Sequence, residues 1–112
     1  MSTSGLIATI STKTANYTLT TTDFTVLGNA AAGAFTLTLP TAVNASGQIY
    51  TLKKTDSSAN VVTIATTSAQ TIDGQSSYSL AYQYQGVIVQ SNNSNWVIVG
   101  VIPARNGSSG TF

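Results

Sequence analysis

Three carboxylates, Asp23, Asp56 and Asp73, are the whole side-chain acid inventory, because the chain has no Glu. Cleavage of a glycosidic bond would need two of them placed across a sugar, and no local signature favours any pair. A calcium site would need several clustered oxygen ligands, and no two of these Asp are close in sequence. Each has a more ordinary local role. Asp73-Gly74 reads as a hairpin turn, with Asp accepting backbone N–H groups and Gly taking a positive φ. Asp56 with Ser57 and Ser58 reads the same way, and Asp23 reads as a cap between strands. Hydroxyl nucleophiles abound, with 19 Thr and 14 Ser. Nothing is there to activate one, since the chain has no His and no Lys in an S-x-x-K frame. The absence of Cys removes disulfides, thiol chemistry and Cys-based zinc sites. The expectation is a noncatalytic protein without metal or cofactor.

Among the remaining candidates, Tyr78, Tyr82 and Tyr84 share a parity within one short region. They read either as an aromatic platform for sugar rings or as core and interface fillers whose hydroxyls reach an edge. Trp96 reads first as core. Lys53 and Lys54 are adjacent and so point to opposite faces of a strand, which makes one of them a snorkelling stem, an edge gatekeeper or an interface charge.

Charge narrows the partners. The net charge is +1, and Lys13, Lys53, Lys54 and Arg105 are too few and too scattered for a nucleic-acid groove. No apolar run approaches the roughly 20 residues of a membrane span, so membrane insertion is not expected. The first residues lack the basic and apolar regions of a signal peptide, which implies synthesis in a cytoplasm. Charged residues are 6% of the chain, against roughly 25% in an average soluble protein. Apolar residues are 42%, so a core is affordable, and the surface must be built from Thr, Ser, Asn and Gln.

The elements that must carry these residues have the strand period of two. Phe35-Thr36-Leu37-Thr38-Leu39 alternates apolar with Thr and stops at Pro40. Similar runs occupy 17–20, 24–27, 49–54, 61–65, 78–82, 86–90 and 96–102, separated by turn residues every 8 to 12 positions. Residues 41–47 are the one stretch that reads as a helical turn, and no internal repeat is visible. The pattern predicts an all-β protein, a single antiparallel β-sandwich or jelly-roll-like barrel of about seven to nine short strands. It divides into an N-terminal arm over 1–14, the β domain over 15–103 and a flexible Gly- and Ser-rich tail over 104–112. The run 96–102 is apolar on both parities, and Ile88 faces opposite to Val87 and Val89. A strand that is dry on both faces needs a second layer, which the same chain or another copy could supply. Ile88, Trp96, Val97, Ile98, Val99 and Val101 are therefore the candidate subunit interface.

Three local patterns, over about three quarters of the chain, resemble a small domain of tailed-bacteriophage virion proteins, chiefly tail fibres and host-attachment proteins. The first is Asp23-Phe24-Thr25-Val26-Leu27, a small-residue turn, and Phe35-Thr36-Leu37-Thr38-Leu39-Pro40. The second is Ile49-Tyr50-Thr51-Leu52-Lys53-Lys54-Thr55-Asp56 followed by Val61-Val62-Thr63-Ile64. The third is Thr71-Ile72-Asp73-Gly74, with Val87-Ile88-Val89-Gln90-Ser91 leading through Asn95 to Trp96. The resemblance implies a β-sandwich, usually a module of a trimeric fibre, and it carries no catalytic residues. The expected product is a virion surface protein, homotrimeric and in contact with other virion proteins, which attaches to a host surface glycan. The alternative is a capsid decoration or head-spike protein that docks through the arm 1–14.

Overall fold

The structure, a computed structural model, describes residues 7–104. Among these there is no helix, and nine strands follow in chain order. They are β1 (Ile10–Lys13), β2 (Tyr17–Thr18), β3 (Thr25–Gly28), β4 (Phe35–Thr38), β5 (Ile49–Lys54), β6 (Val62–Ala65), β7 (Ser77–Leu80), β8 (Gly86–Ser91) and β9 (Trp96–Ile102). In β3 to β6 every second residue is buried and its neighbours are partly exposed. The period-two sequence explains this directly: Val, Leu, Ile and Phe point inward, and Thr largely fills the outer positions.

Two sheets result, one ordered β1-β3-β5-β8-β9 and the other β2-β4-β6-β7. From β1 to β6 the chain changes sheet at every step, so each strand lies beside the one laid down two steps earlier. The pairs β1–β3, β3–β5, β2–β4 and β4–β6 are all parallel. Only β6–β7, β5–β8 and β8–β9 are antiparallel. The expectation of a wholly antiparallel architecture is therefore overturned, and both sheets are mixed. Alternation within a strand reports which face is buried and carries no information about the direction of its neighbour. The winding resembles the connectivity of a solenoid, but its coils are unequal. Ile10 lies beside Thr25, and Thr25 beside Thr51. Unequal coils leave no repeat for the sequence to show.

The core is drawn from both sheets: Val26, Tyr50, Leu52, Val87, Val89 and Trp96 from one, and Leu37, Val62, Ile64 and Leu80 from the other. At its centre the Tyr50 and Trp96 rings lie 5.3 Å apart at 45°. The Trp96 indole N–H donates to the Pro40 carbonyl at 3.2 Å, and the Tyr50 hydroxyl donates to the Thr20 carbonyl at 2.8 Å. Burial, then the nearby Asp23 carboxylate and Tyr17, push the Tyr50 phenol up to about 12.

Residues 41–47 form turns rather than a helical turn, with Asn44 at φ 62° and Gly47 at φ 89°. Side chains hold this segment where a helix ladder would otherwise serve. The buried Gln70 amide accepts the Ala42 N–H and donates to the Thr41 hydroxyl, and the buried Ser91 hydroxyl donates to the Ala42 carbonyl. Of the stretch read as an arm, residues 10–13 are strand β1, and residues 1–6 lie outside the described part. The expected tail lies outside it beyond Ala104.

Close packing makes one glycine indispensable. A methyl group on Gly86 would sit 2.8 Å from the Leu52 carbonyl oxygen and 3.0 Å from Ile102, and backbone cannot step aside cheaply. Gly86→Ala is expected to cost about 1–3 kcal/mol, read as a lower urea midpoint at unchanged m.

Candidate functional site

All three carboxylates are committed to structural hydrogen bonds. Asp23 Oδ2 accepts the Tyr17 hydroxyl at 2.7 Å and the Thr20 N–H at 2.9 Å, closing the turn before β3. Asp73 has φ 48° and Gly74 φ 83°, and Ile72 and Gln75 exchange backbone hydrogen bonds across them. This is the tight turn that the dipeptide predicts. Asp73 Oδ1 also accepts the Ile98 N–H at 3.0 Å, so the same residue covers part of the β9 edge. Among the described residues, no three metal-ligating side chains of the His, Cys, Asp or Glu types converge.

Asp56 makes the densest cluster. Its partner is Lys54, which the sequence reading could not single out from Lys53. Lys54 takes the inward parity of β5 after Tyr50 and Leu52 and is wholly buried, while Lys53 points outward. The Lys54 ammonium donates to Asp56 Oδ2 at 2.8 Å and to the Asp56 and Ser58 carbonyls at 3.0 Å each. All three ammonium protons thus have acceptors, which a buried charge requires. Asp56 also accepts the Ala30 N–H at 2.6 Å, the Ser58 N–H at 3.0 Å and the Ser58 hydroxyl. Burial alone would raise the Asp56 carboxyl. The bonds from Lys54, Ser58 and the two backbone N–H groups outweigh it and hold the group well below the usual carboxylate range. The signal in the sequence was a Lys at the buried parity with an Asp two residues on.

This clip fixes the loop after β5, and the turn between β7 and β8 lies against it. The Lys54 N–H donates to the Gln85 carbonyl and the Tyr84 N–H to the Lys54 carbonyl. Gln83 Nε2 reaches the Thr55 carbonyl at 3.1 Å. Gln85 Oε1 accepts the Ala81 and Tyr82 N–H groups. Between loop and turn is an open cavity of about 440 Å³ lined by Ser57, Ser58, Ala59, Ala81, Tyr82 and Gln83.

The three tyrosines are not brought onto one face. Tyr78, on β7 beside Ile64, packs against the core. Tyr82 and Tyr84 lie in the turn after β7, 58% and 42% exposed. The common parity depended on a continuous strand through 78–84, and the strand ends at Leu80. Tyr82 lines the cavity, whereas Tyr84 lies under the Lys53 ammonium, 5.6 Å from its ring centre.

The candidate interface also divides. Trp96 is wholly buried inside the chain and does not fit the subunit contact expected of it, while Ile98 is partly buried and packs against the core. Ile88 and Val97 are half-buried, and Val99 and Val101 are 54% and 59% exposed. A β-bulge interrupts the pairing of β8 with β9. Val89 pairs with Ile98 but Ile88 pairs with Gly100, which leaves Val99 as the extra residue. The bulge shifts the register by one residue, so Val101, not Gly100, stands beside Val87. On the outer side of β9, Trp96 and Ile98 N–H groups are taken by Thr71 and Asp73. The edge from 99 to 102 has no neighbouring strand among the described residues.

No protein-family model matches the chain, and a search of curated proteins gives no match.

Since the folded Asp56 carboxyl titrates below its unfolded value of about 3.9, its stabilisation is present above that pH. It is lost as pH falls toward the folded value. Asp56→Asn is expected to cost about 3–5 kcal/mol at pH 7 by leaving the Lys54 charge buried and unpaired. Urea unfolding from pH 7 to pH 3 should show the parent losing stability in acid more steeply than the variant.

Proposed function

We propose that this protein is a noncatalytic bacteriophage virion surface protein of the tail-fibre or spike type, which attaches to the host cell as a homotrimer. Support comes first from the resemblance over 17–100 to virion attachment domains, whose β-sandwich architecture is the finer reading of the two mixed sheets. The observation that carries it furthest is the division of labour among the charges. Each carboxylate is spent on holding a turn or a strand edge, which leaves hydroxyls, amides and tyrosines to meet a partner. Attachment would then work by avidity, several copies adding weak contacts without a strong individual site.

The subunit contact in this reading is the outer half of β9, where Val99 and Val101 are exposed on an edge without charge. Such an edge invites association unless it is covered. The alternative is a capsid decoration or head-spike protein, and the residues ahead of β1, 1–9, would be its docking arm.

Light scattering after size exclusion should give a mass near three times 11.5 kDa, and Val99→Lys with Val101→Lys should reduce it to a single copy. A monomeric parent would remove the trimer from the reading. Labelled protein offered to a panel of bacterial cells and to purified phage capsids separates the two functions. Binding to cells supports attachment and binding to capsids supports decoration, whereas binding to neither sinks both.

A further inference from the structure

The cavity between the Lys54–Asp56 loop and the β7–β8 turn has walls but, among its lining residues, no charge. Its volume of about 440 Å³ lies within the roughly 300–1,000 Å³ of small-molecule sites. Three polar atoms on its lining, the Ser57 and Tyr82 hydroxyls and Gln83 Oε1, make no hydrogen bond to another described residue. The amide nitrogen of the same Gln83 is already fixed on Thr55, so its oxygen is oriented by the fold. Ala59 and Ala81 add small apolar surface, and the Tyr82 ring is 58% exposed.

The charges nearby are withheld from this space. Lys54 and Asp56, which anchor the loop, satisfy each other at 2.8 Å with side chains 0% and 7% exposed. Lys53 lies over the Tyr84 ring instead. An anionic ligand would therefore meet no free cation on the lining, and a cationic one no free carboxylate. A ligand with several hydroxyls and an apolar C–H face matches both halves of the lining: hydroxyl and amide groups for the first, an aromatic ring for the second.

The walls are also held in advance. A chain with four cations places one of them, fully buried, under this loop. The β7–β8 turn is tied to β5 by backbone bonds and closed on itself by Gln85. Loops already fixed lose less entropy when a ligand arrives.

We propose that this cavity is a subsite for one neutral pyranose ring of a surface glycan, with Tyr82 stacking on the ring and Ser57 and Gln83 hydrogen-bonding its hydroxyls. The assignment rests on the attachment reading above and names its ligand class. The test uses the full chain on an array of neutral hexose and N-acetylhexosamine oligosaccharides beside sialylated and phosphorylated ones. Signal is expected on neutral glycans, about tenfold weaker for Tyr82→Ala, reduced for Ser57→Ala and largely kept by Tyr82→Phe. Unchanged thermal unfolding of Tyr82→Ala would show that the loss is local. A blank array, signal confined to anionic glycans, or signal indifferent to Tyr82→Ala would overturn the subsite. The cell-binding assay keeps the two ideas apart. Cell binding with a blank array removes the subsite and leaves attachment, and array binding lost in Tyr82→Ala without cell binding does the reverse.

Discussion

A strand that pairs in parallel with its neighbour cannot reach it through a tight turn, because the chain must first return to the end from which it started. Here the return is made through the opposite sheet. Each strand from β2 to β5 is therefore also the return path for a pair in the other layer, and one passage of chain builds both walls of the core. That constraint decides where the variable segments fall. The crossings between layers lie at the ends of the strands, and the residues that hold them are side chains of the turns themselves. The last three strands are free of the constraint. They pair antiparallel and bring Trp96 back into the middle of the core.

The few charges have an unusual distribution for the same reason. Crossing segments have backbone groups without ladder partners, and such groups must find acceptors or donors when they approach the core. Asp23, Asp56 and Asp73 each supply acceptors at a different turn, crossing or strand edge. Gln70 and Asn95 do so in neutral form, and the Ser91 hydroxyl supplies a donor to the Ala42 carbonyl. The surface left over is rich in hydroxyls and amides. It has little long-range field, so recognition on it must depend on shape and short contacts rather than on electrostatic steering.

Much of this was legible in the sequence. The all-β class, the rough positions of β2 to β9 and the Asp73-Gly74 turn follow from alternation and turn chemistry, both of which are local, whereas β1 lies in the stretch that reads as an arm. Strand direction was not legible, because Thr25–Gly28 would look the same beside a parallel or an antiparallel partner. The bulge at Val99 was hidden as well. Only the pairing of Val89 with Ile98 and Ile88 with Gly100 reveals it. Lys54 had a readable parity, but its burial depends on Asp56 and Ser58 folding back over it. The shared parity of the tyrosines holds only to Leu80, beyond which the chain enters a turn where Tyr84 adopts φ 67°.

The order of the five-stranded sheet has a mechanical meaning. β1 and β9 are its two edges, and two parallel pairs followed by two antiparallel ones leave them pointing the same way. A pull on the chain before β1 and after β9 would therefore draw the two edges apart along the strand axis. In that geometry the hydrogen bonds between neighbouring strands are sheared together rather than opened one at a time. The sheet is thus strained in the direction in which its ladders resist best.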